Sequence, residues 1–171
     1  MFEETANKKK WYALYTKPRW EKKVHAMLEA KDITSYCPLN KVSKKWSDRM
    51  KVVEEPLFKS YVFVQLAENE KTEVRMTEGV LNFVYWLGKP AIVKDDEILT
   101  IKLFLNEYQD VEALPLEIKP FDTVQVQRGI LMGHKGKVNR VLHNRIEVVI
   151  ESLGYKLVAY LDKSNIAPAG R

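Results

Sequence analysis

The sequence predicts an α+β chain of two domains: helices on a mostly antiparallel sheet over residues 1–108, a linker at 109–120, and a small β-barrel over 121–171. Three observations predict it. Before Tyr108, apolar residues recur at helical spacing in some segments and at strand spacing in others. After Tyr108 the texture changes, because Gln109 to Pro120 is acidic, carries Pro115 and Pro120 and has no amphipathic period. From Phe121 onward only short strand-like runs occur, separated by glycine-bearing turns.

Trp11 to Thr16 is rich in aromatic residues, with apolar side chains on both alternating faces, as in a central strand buried on two sides. Trp20, Val24, Met27 and Leu28 then fall at i, i+4, i+7 and i+8, one stripe of a helix whose other faces carry Lys22, Lys23 and Glu29, and Pro18 suits its first turn. Extended runs follow at Ser35 to Val42, Trp46 to Val53 and Lys59 to Leu66. A short helix from about Asn69 to Thr77 ends at Gly79, and Val80 to Leu87 is a further strand closed by Gly88-Lys89-Pro90. Asp95 or Asp96 is positioned to cap a last helix in which Ile98, Ile101, Leu105 and Tyr108 share a face. The barrel runs are Thr123 to Arg128, Lys137 to Leu142, Ile146 to Ile150 and Lys156 to Leu161.

The 171 residues, 46% of them hydrophobic, suffice for one medium domain or two small ones. No apolar run approaches the roughly 18 residues that span a bilayer. Met1-Phe2-Glu3-Glu4 lacks the order of a signal peptide, so the cytoplasm is the expected compartment. The single cysteine, Cys37, excludes an internal disulfide and reads as an inert strand residue, and no Cys/His spacing resembles a zinc site. The net charge of +5 is unevenly spread: residues 8–51 hold 13 Lys/Arg against 4 Asp/Glu, residues 52–117 hold 6 against 13, and residues 118–171 hold 9 against 4. Basic ends flank an acidic middle, and local clustering of this kind is what polyanion binding depends on.

Catalysis has thin support. Asp95-Asp96-Glu97 are consecutive at a helix start and cannot converge on one ion as spaced ligands do. His25, His134 and His143 lack a nucleophile with a suitable signature, and there is no Walker loop or dinucleotide fingerprint.

Several segments carry a family resemblance. In the first domain these are Trp11-Tyr12, Lys17-Pro18-Arg19, the run from Glu55-Pro56-Leu57-Phe58 through Lys59-Ser60-Tyr61-Val62-Phe63-Val64, and Thr77-Glu78-Gly79-Val80. In the second they are Val124-Gln125-Val126-Gln127-Arg128-Gly129 with Gly133, Gly136 and Val138. In this order, joined by a proline-bearing linker, they resemble the NusG family of transcription elongation and antitermination factors. The resemblance implies an NGN-like α/β sandwich followed by a five-stranded, SH3-like KOW barrel, a monomer with no enzymatic activity and no cofactor, and RNA polymerase as partner. Lys59-Ser60 stands where housekeeping members usually have Pro-Gly, and the Glu-Pro-Leu-Phe lead-in is closer to the specialised RfaH-like and UpxY-like paralogues, which implies an operon-specific antiterminator. Ile130-Leu131-Met132 replaces the usual Pro-Phe pair of the KOW loop.

The candidate sites follow from both lines. Trp11, Phe58, Tyr61 and Phe63 are expected to line an apolar cavity, since alternation sets Tyr61 and Phe63 on one face with Phe58 close by. The resemblance implies that the coiled coil of the polymerase clamp helices fills it, while ordinary core packing is the competing account. Lys8, Lys9, Lys10, Lys17, Arg19, Lys22, Lys23, Lys41, Lys44, Lys45, Arg49 and Lys51, interleaved with Trp20 and Trp46, have the composition of a phosphate-tracking surface with stacking platforms. Lys17, Arg19 and Lys23 lie where family members contact displaced non-template DNA. Lys44, Lys45 and Arg49 sit on a candidate hairpin tip. The same surface suits a nascent leader RNA, and a solvated face is the alternative. Thr72 is the one hydroxyl matching a polymerase-loop contact of specialised relatives, and Glu55 resembles a position that salt-bridges the second domain in fold-switching ones. Gly129, Gly133 and Gly136 supply turns. Leu131 and Met132 either form an apolar tip for a small-subunit ribosomal protein or Rho, or tuck under the barrel. Besides the operon-specific factor, two further readings stand: a housekeeping NusG-like factor coupled to Rho or the ribosome, and a ribosome-associated KOW RNA-binding protein.

Overall fold

The computed structural model describes residues 8–86, 88–116, 140–142 and 145–160. The chain divides into two compact units, Met1–Leu39 with Pro56–Ile98, and Asn40–Glu55 with Leu99–Arg171.

In the first unit, β1 (Lys10–Thr16) is the central strand of an antiparallel sheet in the order β2 (Thr34–Tyr36), β5 (Tyr61–Leu66), β1, β6 (Val80–Phe83), with β9 (Ile92–Val93) pairing the other end of β1. The aromatic run of β1 is buried from Trp11 to Leu14, as a strand covered on both faces requires. On one face, Tyr12, Leu14, Val62, Val64, Leu66 and Phe83 pack with Val24 and Leu28 of α1 (Glu21–Ala30) and with Val74 of α2 (Lys71–Arg75). A fully buried Leu, Val or Phe stabilises by roughly 1.5–3 kcal/mol, and this face supplies the unit's main core.

Alternation assigns the opposite face to Trp11, Ala13 and Tyr15 of β1 and to Tyr61, Phe63 and Gln65 of β5, in the register Trp11↔Gln65, Ala13↔Phe63, Tyr15↔Tyr61.

Several elements depart from the sequence expectation. The run Ser35 to Val42 is not one strand: Pro38, with no N–H to give a ladder, separates β2 from β3 (Leu39–Trp46), and its carbonyl instead accepts from Leu57 N–H at 2.9 Å. Val80 to Leu87 divides at Val84, whose N–H still bonds Ala13 O of β1 at 2.9 Å while its carbonyl accepts from Ala91 N–H at 2.8 Å, so β7 (Tyr85–Trp86) forms a separate ribbon with β8 (Lys89–Pro90). Pro18 lies in the turn before α1, not inside its first turn. The last helix, α3 (Asp95–Glu107), opens on both aspartates, and Glu97 reaches back to Lys94 N–H at 3.2 Å, as a capping-box acid does.

In the second unit, β3 and β4 (Arg49–Pro56) form a two-stranded ribbon. Its base is held to residues 110 and 111: Asn40 Nδ2 donates to Val111 O at 2.8 Å, Val111 N–H donates to Asn40 Oδ1 at 3.1 Å, and Asp110 N–H donates to Lys41 O at 2.8 Å. A four-stranded antiparallel sheet runs β10 (Glu112–Pro115), β13 (Tyr155–Tyr160), β12 (Arg145–Ile150), β11 (Arg140–Leu142). Strand β10 falls inside the stretch expected as linker. Its proline, Pro115, does not prevent pairing, because among the described residues β10 lies at the edge of this sheet, where a missing N–H is tolerated. Buried Glu147 is matched by Arg145 Nε at 3.3 Å and Lys156 Nζ at 3.5 Å.

Candidate functional site

Three of the four residues expected to line an apolar cavity come together on the sheet face opposite α1 and α2. Phe58 meets Phe63 edge-on, centroids 5.8 Å apart and planes at 89°, and meets Tyr61 at 6.5 Å and 79°. Such edge-to-face pairs match the positive ring edge to the negative ring face. Phe58 is 5% exposed, Phe63 1% and Trp11 7%, so these three rings are the floor of the face and not its surface. Tyr61 is half-buried and stacks tilted on Tyr15 at 5.0 Å, which is 39% exposed. Tyr36 joins from β2, 6.3 Å from Phe63. Tyr15 and Tyr36 were missed by sequence reasoning; the alternation Trp11, Ala13, Tyr15 carries the signal for the first.

Next to this face, β5 begins at a strained corner. Ser60 has φ +65. Its N–H donates to Oε1 of buried Glu21 at 2.8 Å, and its carbonyl accepts from Thr16 N–H at 2.9 Å. A carboxylate in the first turn of α1 therefore holds the corner from which Tyr61 projects, a role that no local pattern announces. Glu21 also bears on Cys37. Burial, with the Glu21 charge added, pushes the Cys37 thiol up to about 11, which keeps it protonated and unreactive.

The basic residues at the start of α1 converge. Lys17 Nζ lies 5.3 Å and Lys23 Nζ 4.8 Å from the Trp20 ring centroid, so one indole gathers two ammonium groups that the chain separates by six residues. Arg19, with φ +68, sits exposed in the turn between them. Gly79 underlies the same indole: a Cβ added there would meet Trp20 Cε3 at 2.6 Å and Val24 Cγ2 at 2.8 Å. Its carbonyl accepts from Lys17 N–H at 2.9 Å, which fixes the turn.

The remaining expected residues belong to other elements. Lys44, Lys45 and Arg49 are exposed on the β3–β4 ribbon, where Lys44 Nζ pairs with Glu55 Oε2 at 3.2 Å. Glu55 thus has a partner within its own ribbon. Thr72 is exposed in α2. Gly129, Leu131, Met132, Gly133 and Gly136, with the rest of the KOW signature, lie outside the described residues.

Comparison with known proteins follows the same segments. The family model for NusG, described as transcription termination factor nusG, matches residues 9–102, more than half of the chain. The chain belongs to the NusG family. The transcription termination/antitermination proteins NusG of Streptococcus pyogenes serotypes M3 and M1 are each 28% identical to it over 173 residues, covering 93% of this chain and 96% of the relative. Among solved structures, one described as "Domain interaction in Thermotoga maritima NusG" aligns with TM-score 0.48 and 22% identity, over 92% of this chain and 95% of that one. The mixed α/β fold with antiparallel sheets is that of a NusG-type transcription factor, and the matched span contains the aromatic face, the Trp20 platform and the β3–β4 ribbon.

Proposed function

We propose that this NusG family member is an elongation factor that binds RNA polymerase and suppresses pausing and termination, acting as an operon-specific antiterminator. Residues 1–108 form the polymerase-binding domain in this reading, and residues 121–171 form the KOW module. The clamp helices dock on the aromatic face, with Tyr61 and Tyr15 making contact over a floor of Phe58, Phe63 and Trp11. The Lys17, Arg19 and Lys23 cations grip the upstream non-template strand or a leader transcript, and Thr72 touches a polymerase loop. A factor held to both clamp and DNA opposes clamp opening. The KOW loop, through Gly129, Leu131, Met132, Gly133 and Gly136, recruits a small-subunit ribosomal protein or Rho.

The observation that carries this reading is the convergence of Lys17 and Lys23 on Trp20, a cationic and aromatic surface suited to phosphates and bases together. The operon-specific part rests on Ser60, whose left-handed backbone occupies the turn where housekeeping members usually carry Pro-Gly. A second reading, the housekeeping factor, draws on the near full-length match to proteins named for termination as well as antitermination.

Pull-down of RNA polymerase separates the two surfaces. Capture is expected to survive Lys17→Ala and to fall sharply with Tyr15→Ala plus Tyr61→Ala, both variants being checked for an unchanged melting temperature. Equal capture by the two would reject the aromatic face as the polymerase site. In transcription on a paused template, relief by the wild-type chain tests the antitermination reading directly.

A further inference from the structure

The β3–β4 ribbon carries a side-chain arrangement that burial does not explain. Two contacts fix which side chains share a face: Lys51 Nζ lies 5.0 Å from the Trp46 ring centroid, and Lys44 bonds Glu55. Alternation then sets Lys44 and Trp46 of β3 with Arg49, Lys51 and Glu55 of β4 on one face. Trp46, the last residue of β3, remains 54% exposed beside the turn Ser47-Asp48, with Lys51 against its ring.

An indole half in water adds little to folding, and an isolated two-stranded ribbon is marginal by itself. This ribbon is nonetheless anchored firmly at its base by the paired Asn40 and Val111 bonds and by Ser43 N–H donating to Asp110 Oδ1 at 2.9 Å. A held base with a cationic, aromatic tip fits a partner with flat π faces and closely spaced negative charge. Charge complementarity selects a polyanion: on this face Glu55 is matched by Lys44, and Arg49 and Lys51 stand beside Trp46 as further cations. The indole selects an unpaired one, because a base inside a duplex has no face to offer.

We propose that the β3–β4 ribbon is a single-strand finger, in which an unpaired base stacks on Trp46 while Arg49 and Lys51 hold the adjacent phosphates. The finger rests on the nucleic-acid half of the function proposed above and assigns base stacking to a residue remote in sequence from the Trp20 platform. Displaced DNA and nascent RNA share the chemistry it recognises.

The test uses the full chain and fluorescence anisotropy with labelled single-stranded DNA, single-stranded RNA of the same sequence, and duplex DNA, all at one salt concentration. Trp46→Ala is expected to weaken the single strand that the finger accepts by about tenfold, within the range for one lost base stack. Trp46→Phe is expected to restore most of that loss, and duplex binding to stay unchanged. The arm that loses affinity, DNA or RNA, identifies the strand. Wild-type affinity of Trp46→Ala for both single strands would overturn the proposal, as would an equal loss on duplex and single strand. Polymerase pull-down keeps the two readings distinct: failure of the wild-type chain to capture polymerase overturns the elongation-factor reading and leaves the finger standing, whereas a variant that captures polymerase yet loses the strand supports the finger.

Discussion

Gly79 and Ser60 both have positive φ, at +90 and +65, but only one of them is a glycine. At Gly79 the conformation and the space agree, since a methyl group there would collide with Trp20 and Val24. At Ser60 the left-handed backbone costs about 1–3 kcal/mol, offset by the bonds to Glu21 and Thr16 that over-determine the corner. The two positions therefore respond in opposite directions. Gly79→Ala is expected to lower stability by at least about 2 kcal/mol, from backbone strain and overpacking together. Ser60→Gly is expected to raise it by about 0.5–1 kcal/mol, part of the relieved strain being returned as unfolded-chain entropy. Chemical denaturation of the two variants beside the wild type measures both, and shifts of the same sign would mean that the corner is not strained as described.

At the scale of elements, the strands that broke did so where a backbone donor was missing or where the pairing partner changed. Pro38 ended β2, and at Val84 the chain passed from pairing β1 through its N–H to pairing Ala91 through its carbonyl. The first was legible in the sequence as a proline within an apolar run; the second was not, because Val84 has no side-chain feature that distinguishes it from its neighbours. The junction after β2 also buries Cys37. Its thiol, ordinarily near 9.0, is held up at about 11, so the folded state binds a proton that the unfolded state releases between those values. Stability from this group is complete below about pH 9 and is lost as pH rises toward 11. At pH 8 Cys37 is accordingly expected to resist alkylation by iodoacetamide until denaturant is added. Rapid labelling of the native chain would show that the thiol is neither buried nor protonated. Of the candidate site, the Tyr61 and Phe63 pairing followed directly from alternation. That Phe58, Phe63 and Trp11 are floor and Tyr15 is surface did not, since alternation names a face without saying how deeply each ring sinks.

For the whole molecule, the charge pattern sets the expected salt response. Binding of a single strand releases condensed counterions in proportion to the phosphates contacted, and in the proposed reading Lys17 and Lys23, both over the Trp20 ring, are two of the contacting cations. Lys17→Ala plus Lys23→Ala is expected to flatten the slope of log K against log salt by about 1.4, at roughly 0.7 per phosphate contact on a single strand. Titrations at several salt concentrations check it, and an unchanged slope would remove these lysines from the interface. The stretch expected as linker contains a strand of the second sheet, β10, paired from Glu112↔Val158 to Pro115↔Tyr155. Proline content marked the stretch as irregular, yet an edge position suits proline, and only the partner strand reveals which case holds.

Local pattern alone determined the class of the molecule: the two-residue period of β1 and β5, the helical stripe of α1, and the motif order that resembles NusG. These depend on interactions between near neighbours, which a sequence displays. Tertiary structure decided what lies between distant residues. It brought Glu21 to Ser60, Lys17 and Lys23 to one indole, and Asn40 to Val111, 71 positions away. Each joins residues whose chemistry is ordinary in isolation, and becomes a site only when packing elsewhere has already fixed the backbone that carries them.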